Sequence, residues 1–543
     1  MPLACAGFID VYQGLVPYVG PRSSLISVRI AEKLFIRAGG RSPKLKMHLS
    51  FATSITLVSL AAANPLSNRL AKRAAIDDCL RTANVPVDAP NSNDWRADSN
   101  PFNQRLKYTP VAIAVPTTVA QVQAAVSCAA KVKVKVNPKS GGHSYASFGL
   151  GGEDGHFVVQ LDRMNAVTYD SATEIATVQA GARLGRVATA LYNNGKRAFS
   201  HGTCPGVGVA GHSLHGGFGF SSHTYGLAVD AIVGATVVLA DSSVVETSQT
   251  ENPHIFWALR GAGSNFGIVT SLKFKTFAAP SQVTVFAINL PWTNASAIVQ
   301  GWSIIQDWLK AEMPKEMNGR ILGNRMQTQI QGLYHGTQAQ LRTAIQPLLT
   351  KLNAQISQQQ QYDWMGAFSY YTYGQQVDVS RPYNLVETFY SKSLVTPALP
   401  SNVLQNVANY WIQKAMSNNR NWFIIIDLYG GANSAITKVA SNATAYAFRD
   451  PNNHLFLYEF YDRVNFGSYP SNGFEFLDGW VKSFTDGLTT DQWGMYINYA
   501  DPTMNRTMAQ DVYYRKNLPK LRALKTELDP TELFYYPQAI QPV

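Results

Sequence analysis

Between Lys139 and Phe220 the chain carries glycine at a density that no helix or strand interior tolerates, and this stretch limits the possible folds more than any other. It opens with KSGGHSYASFGLGG and closes with SHGTCPGVGVAGHSLHGGFGF. Glycine loses more backbone entropy on folding than any other residue, so such runs persist where a ligand or another segment must approach the main chain. The stretch therefore reads as a binding surface made of backbone, with N–H groups suited to a pyrophosphate. Two nucleophilic side chains, the imidazole of His143 and the thiol of Cys204, lie inside it. Gly206, Gly208 and Gly211 also spell G-x-G-x-x-G, with Asp230 near the place of a ribose ligand. That fingerprint needs a preceding strand and a following helix, whereas Cys204-Pro205 precedes it and more glycines follow, so a Rossmann fold is rejected.

At 543 residues the chain is too long for one core, and at least two domains are expected. Its net charge of +11 would point to an acidic partner, yet residues 1–73 hold ten Lys/Arg against Asp10 and Glu32, which is +8 of the total. Removing this leader removes the case for nucleic acid. Lys44 and Lys46 precede an apolar run from Leu49 to Ala63, the form of a secretory signal peptide over 47–63. It is short and rich in small residues, which disfavours a membrane span. Lys72-Arg73 reads as a dibasic processing site closing a propeptide at 64–73, and 1–46 reads as an upstream extension. The mature part then keeps Cys79, Cys128 and Cys204, an odd number that calls for explanation in an oxidising compartment. Sequons at Asn294, Asn442 and Asn505 fit the same route.

The periodicities predict an α+β chain. Strand and helix alternate over TPVAIAVPTTVAQVQAAVSCAAK, strands follow at HFVVQLDRM and EIATVQAG, then a helix from about Leu184 to Asn193 and a hairpin at AIVGATVVLADSSVVETS. A third glycine-rich turn runs from Gly261 to Gly267. From about Ala278, runs such as TVFAINL, NWFIIIDLYGG and HLFLYEFYDRV alternate with helical ones, predicting an antiparallel sheet backed by helices. The aromatic-rich insert from Tyr362 to Tyr373 is expected to be a loop at its edge, and YRKNLPKLRALKTELDP a helix.

With GGHSY around His143 and GTCPGVG around Cys204, the chain resembles the vanillyl-alcohol-oxidase and berberine-bridge-enzyme superfamily, and within it the secreted oligosaccharide oxidases. The resemblance spans about 76–543 and implies two domains: a PCMH-type FAD-binding domain at 74–277 and a substrate domain at 278–490. A C-terminal segment at 491–543 would return to the first. It implies one FAD bonded to both His143 and Cys204; if Cys79 then pairs with Cys128, no thiol is left over. FAD contacts are expected from Gly141, Gly142, Ser144, Gly206, Gly208, Gly211, His212, Gly216, Gly217 and Gly219. The third turn would add Gly263, Asn265 and Gly267, and the tail Tyr536 and Gln538. His201, His212, His215 and His223 lack matched carboxylate or thiolate ligands, so hydrogen bonding is expected there rather than metal.

In these relatives a tyrosine of YINYADP takes the proton of the sugar's anomeric hydroxyl, helped by an aspartate after WF; those positions are Tyr499 and Asp427. A phenol with a pKa near ~10 needs such a partner at neutral pH, and a charged aspartate serves by accepting its proton, since like charge raises the phenol's pKa. The implied reaction converts the C1 hydroxyl to a lactone, then an aldonic acid, with O₂ reduced to H₂O₂, in a monomer needing neither membrane nor nucleic acid. Sugar contacts are expected from Tyr145, Gln331, Ile425 and Glu459, with Phe423 and Tyr370 or Tyr371 stacking on the next ring. Gln331 and Ile425 depart from the gluco-oligosaccharide pattern and point to an N-acetylated or mixed oligosaccharide. The competing readings are a berberine-bridge-type oxidase of a small metabolite and a redox-inactive secreted carbohydrate-binding protein.

Overall fold

Helix Val119–Val132 begins where the Thr118 hydroxyl accepts from the N–H of Gln121 and ends at Lys133, whose left-handed backbone turns the chain back into a sheet. The computed structural model describes residues 65–379 and 385–543. The extension at 1–46 and the signal segment at 47–63 lie outside them. Helix Pro65–Thr82 runs through Lys72 and Arg73. Cys79 on this helix is bonded to Cys128 on the next long one.

Two sheets share one core in the first half of the chain. Ala112–Ala114 and Val136–Lys139 flank Phe157–Gln160 in a parallel three-stranded sheet. An antiparallel five-stranded sheet follows, in the order Val167–Asp170, Ile175–Gln179, Ile268–Lys275, Ile232–Val238 and Val244–Ser248. The last two strands are the expected hairpin.

The second half is an antiparallel sheet of seven strands, in the order Ile356–Tyr362, Val283–Asn289, Thr328–Tyr334, Met317–Asn324, Asn421–Leu428, Phe456–Val464 and Thr388–Thr396. Helices Ala295–Ala311, Gln338–Leu352, Ser401–Tyr410 and Asn472–Thr485 join it in a core holding Trp302, Trp308, Trp411 and Trp480. Side chains alternate between faces along a strand. Ile321, Ile424, Ile426, Tyr458 and Phe460 fall in that core, which assigns Arg320, Leu322, Phe423, Ile425, Asp427, Glu459 and Tyr461 to the opposite face.

One expectation is corrected. The insert expected as a loop is helix Trp364–Tyr371, capped where the Asp363 carboxylate accepts from the N–H of Gly366 at 2.7 Å. Its buried residues Trp364, Ala367, Phe368 and Tyr371 have i, i+3, i+4, i+7 spacing, which the half-buried Tyr362, Tyr370 and Tyr373 among and beside them disguised. The expected C-terminal helix is present at Leu518–Leu528; a separate helix, Arg506–Tyr514, precedes it, and Arg515 turns at φ 47° between them.

The tail returns to the first half. Leu533 O accepts from Val136 N at 2.9 Å and Tyr535 O from Asn137 Nδ2 at 2.8 Å. Lys525, fully buried, donates to Asn265 O, Asp529 Oδ2 and Phe534 O at 2.7–2.8 Å. Asp529 in turn accepts from Leu533 N and Phe534 N. Removing one partner of such a pair strands the other charge, so Lys525→Met should cost ~3–5 kcal/mol in urea unfolding. A change below ~1 kcal/mol would show that the pair does not hold the tail.

Candidate active site

A Cβ on Gly141 would lie 2.3 Å from Gly208 N, and one on Gly208 would lie 2.2 Å from Gly141 N. The two glycine loops thus meet main chain to main chain, an approach open only to glycine. Arg183 fastens them, its Nη1 donating to Gly141 O at 2.8 Å and Gly206 O at 2.5 Å. This contact brings His143 and Cys204 to one cavity of about 260 Å³. Gly141, Gly142, Ser144, Gly208, Gly211, His212, Gly219 and Tyr536 also line it. At Gly211 an added Cβ would meet nothing within 4 Å, so the glycine-lined wall has open space before it.

His143 stacks on Phe102 with ring centres 3.7 Å apart. Burial, then the charge of Arg183, pushes its pKa down to about 3, leaving a neutral imidazole with a nucleophilic lone pair. A neutral nucleophile beside a backbone-lined space fits a covalently held flavin. His201, His212 and His215 bond to the loop itself. Gly202 N donates to His212 Nε2 at 3.1 Å, and His215 bridges Gly211 O and Ser264 Oγ, each at 2.9 Å. Among the described residues no group of three or more His, Cys, Asp or Glu is placed to hold a metal ion.

Other expected FAD contacts stand behind the wall and shape it. Gly217 N donates to Tyr496 Oη at 2.8 Å, and an added Cβ at Gly216 would lie 2.7 Å from the Tyr446 ring. Gly263 and Gly267 are crowded by Leu214 and Val237. Asn265 Oδ1 accepts from Ile540 N, and Gln538 Nε2 donates to Asp501 O and Met504 O.

The polar face of the seven-stranded sheet forms the opposing wall. Arg320, Ile425, Asp427 and Glu459 reach the same cavity, with Tyr145 and Tyr373, and Tyr499 enters from the short turn Ile497–Tyr499. Tyr499 stacks on Tyr145 at 5.5 Å, and Tyr145 Oη donates to Glu459 Oε1 at 2.8 Å. Asp427 faces Arg320 across the strand pair. Burial pushes the Asp427 pKa up to about 7, opposed by Arg320. Burial likewise raises Glu459 to about 8, opposed chiefly by the Tyr145 hydrogen bond. The Tyr499 phenol lies well above its ordinary value through burial, then Glu459 and Asp427, with Arg320 pulling the other way.

Four expected sugar contacts stand off the cavity wall. Gln331 is the cross-strand partner of Arg320, whose Nη2 donates to Gln331 Oε1 at 3.2 Å and to Tyr373 Oη at 3.0 Å, so the longer side chain takes the position. Phe423 stacks on Tyr461 at 4.6 Å. Tyr371 donates to Gly332 O, and Tyr370 packs on Tyr362. Sequence reasoning missed Arg320, Tyr373 and Tyr496, although a cation inside the buried strand Met317–Asn324 is itself a functional signal.

The family model for an FAD binding domain matches residues 110–248, and the one described as berberine and berberine like matches 495–541. A xylooligosaccharide oxidase of Thermothelomyces thermophilus is 64% identical over 499 residues, 91% of this chain and 99% of its own. The solved xylooligosaccharide oxidase from Myceliophthora thermophila C1 in complex with xylobiose superposes with a TM-score of 0.85 at 65% identity, covering 86% of this chain and 99% of that one. A glucooligosaccharide oxidase from Acremonium strictum, studied for its 6-S-cysteinyl, 8α-N1-histidyl FAD, gives 0.83 at 41% identity, covering 86% and 99%.

A carboxyl whose pKa is raised by folding binds its proton more tightly in the folded state, so its contribution to stability is lost as pH rises from the unfolded to the folded value. For Glu459 that window runs from 4.5 to about 8. The Tm of Glu459→Gln relative to the unsubstituted protein should therefore rise between pH 5 and pH 8.5. A pH-independent difference would mean that Glu459 titrates normally.

Proposed function

The chain belongs to the FAD-linked oligosaccharide oxidases, and from that membership we propose that it oxidises the reducing-end C1 hydroxyl of an oligosaccharide to a lactone, with O₂ reduced to H₂O₂. The reading rests on one observation: His143 and Cys204 share a cavity with Tyr499 and Asp427. FAD is the cofactor, and we assign its tethers to His143 and Cys204, the pair that matches a histidyl, cysteinyl flavin in chemical type. Bound FAD supplies the acceptor for the hydrogen and two electrons leaving C1.

The protein's part is to move the hydroxyl proton. Tyr499, held between Tyr145 and Tyr496, takes that proton while passing its own to Asp427. A standing phenolate between two carboxylates is unfavourable, so a relay to an aspartate with a pKa of about 7 is the accessible route. Arg320 offsets the negative charge as it develops.

Xylo-oligosaccharides are the substrate class we favour, on the 64% identity to a xylooligosaccharide oxidase and on Ile425, which presents an apolar contact where a larger sugar's hydroxyls would need partners. Secretion is part of the proposal, supported by the leader and by the Cys79–Cys128 disulfide. The sequon asparagines Asn294, Asn442 and Asn505 are all exposed. We take the enzyme to act as a monomer.

Peroxide release from xylo-, cello-, malto- and chito-oligosaccharides tests the reading, with the highest kcat/KM expected on the xylo series. Equal turnover of all four would remove the pentose preference, and no turnover would remove the oxidase. Tyr499→Phe should keep its flavin absorbance and lose ~10²–10⁴ in kcat. Because Asp427 must be ionised to accept a proton, kcat should rise through about pH 7. Asp427→Asn should be slow at every pH and lack that limb; retention of the limb would exclude Asp427 as the relay.

A further inference from the structure

A second, smaller cavity of about 40 Å³ adjoins the first. The two share Gly202, Thr203 and Phe220, so they meet at the loop that leads into Cys204. Val283 and Leu333 of the sheet and Trp364, Ala367 and Phe368 of the aromatic helix form its walls, all buried. Of the four polar side chains that also line it, two are engaged: Tyr371 Oη donates to Gly332 O at 2.6 Å, and His201 Nδ1 to Gly202 O at 2.8 Å; the other two, Thr203 and Ser221, neighbour Gly202 and Phe220 at the junction with the first cavity, leaving the far end apolar. The space is too small for a pyranose ring. Small apolar cavities stay dry and take up apolar gases, because a water inside them lacks the hydrogen bonds it needs.

From this geometry we propose that the small cavity is the O₂ site of the enzyme. This rests on the oxidase reading above. Each turnover must deliver O₂ to the reduced cofactor; two electrons and one proton from reduced FAD, with one proton from water, convert O₂ to H₂O₂ and return FAD to its oxidised form. A sugar lying against Tyr499 and Asp427 occupies the polar wall of the main cavity. An apolar reservoir opening beside Cys204 lets O₂ enter without displacing it. The aromatic helix, which serves no step of sugar oxidation, acquires a role as the wall of that reservoir.

Crystals of the flavin-loaded enzyme pressurised with xenon should show the gas between Leu333, Trp364 and Phe368. Ala367→Leu should exclude it and slow reoxidation by O₂ in stopped flow by about fivefold or more, with anaerobic reduction by sugar and turnover with a quinone acceptor unchanged. Ala367→Val, a smaller intrusion, should give a graded effect and carries the test if the leucine variant fails to fold. Absence of xenon from the cavity, or its loss with no change in reoxidation rate, overturns the proposal. Reoxidation measured after dithionite reduction needs no sugar, so it stands even if no oligosaccharide proves to be a substrate.

Discussion

Where Gly141 and Gly208 touch, no side chain of any size can stand between the two backbones, and the rest of the site follows from that contact. Each loop enters from a different sheet connection, and Arg183 holds their carbonyls together from behind. The result is a wall of main-chain atoms bearing one imidazole and one sulfur. A wall of ordinary residues would keep a planar cofactor several ångströms farther away. The opposite wall is made by a different rule. The period of two along the strands sends Ile424 and Ile426 to the helices and Ile425 and Asp427 to the cavity, so the sheet is apolar on one face and reactive on the other.

The reactive face places two carboxyls, three phenols and one guanidinium on one cavity wall largely out of water. Desolvation raises both carboxyls toward neutrality, and each disfavours a phenolate at Tyr499. Arg320 opposes both trends, and its hydrogen bonds to Gln331 and Tyr373 fix where its charge lies. Such a cluster is poorly suited to holding a permanent base. It is well suited to passing one proton along at the moment the substrate's own proton leaves, since that step changes the net charge of the cluster least.

Much of this was legible in the sequence because glycine density and strand alternation are local signals. The glycine loops, the hairpin after Asp230 and the strands bearing Asp427 and Glu459 all fall where those signals predict. What was not legible is competition between neighbours in space. Gln331 and Arg320 share one cross-strand position, and only their relative reach decides which one meets the cavity. Asn265 and Gln538 look like ligand-binding amides, yet the chain's own backbone claims their hydrogen bonds first. In the aromatic insert, half of the rings define a buried helical stripe and the others obscure it.

The two walls also differ in how they respond to protons. Burial and Arg183 keep the imidazole of His143 neutral across the whole physiological range, so the backbone wall presents the same nucleophile at any pH the folded protein meets. Asp427 and Glu459 lie where small changes in pH alter their charge. On the proposed reading, attachment of a cofactor and turnover of a substrate would draw on groups in one cavity whose titrations are separated by several pH units. The separation has a structural origin: burial disfavours the charged form of every group, which lowers the pKa of the imidazole, aided by Arg183, and raises those of the carboxyls, against Arg320 and, at Glu459, the Tyr145 hydrogen bond.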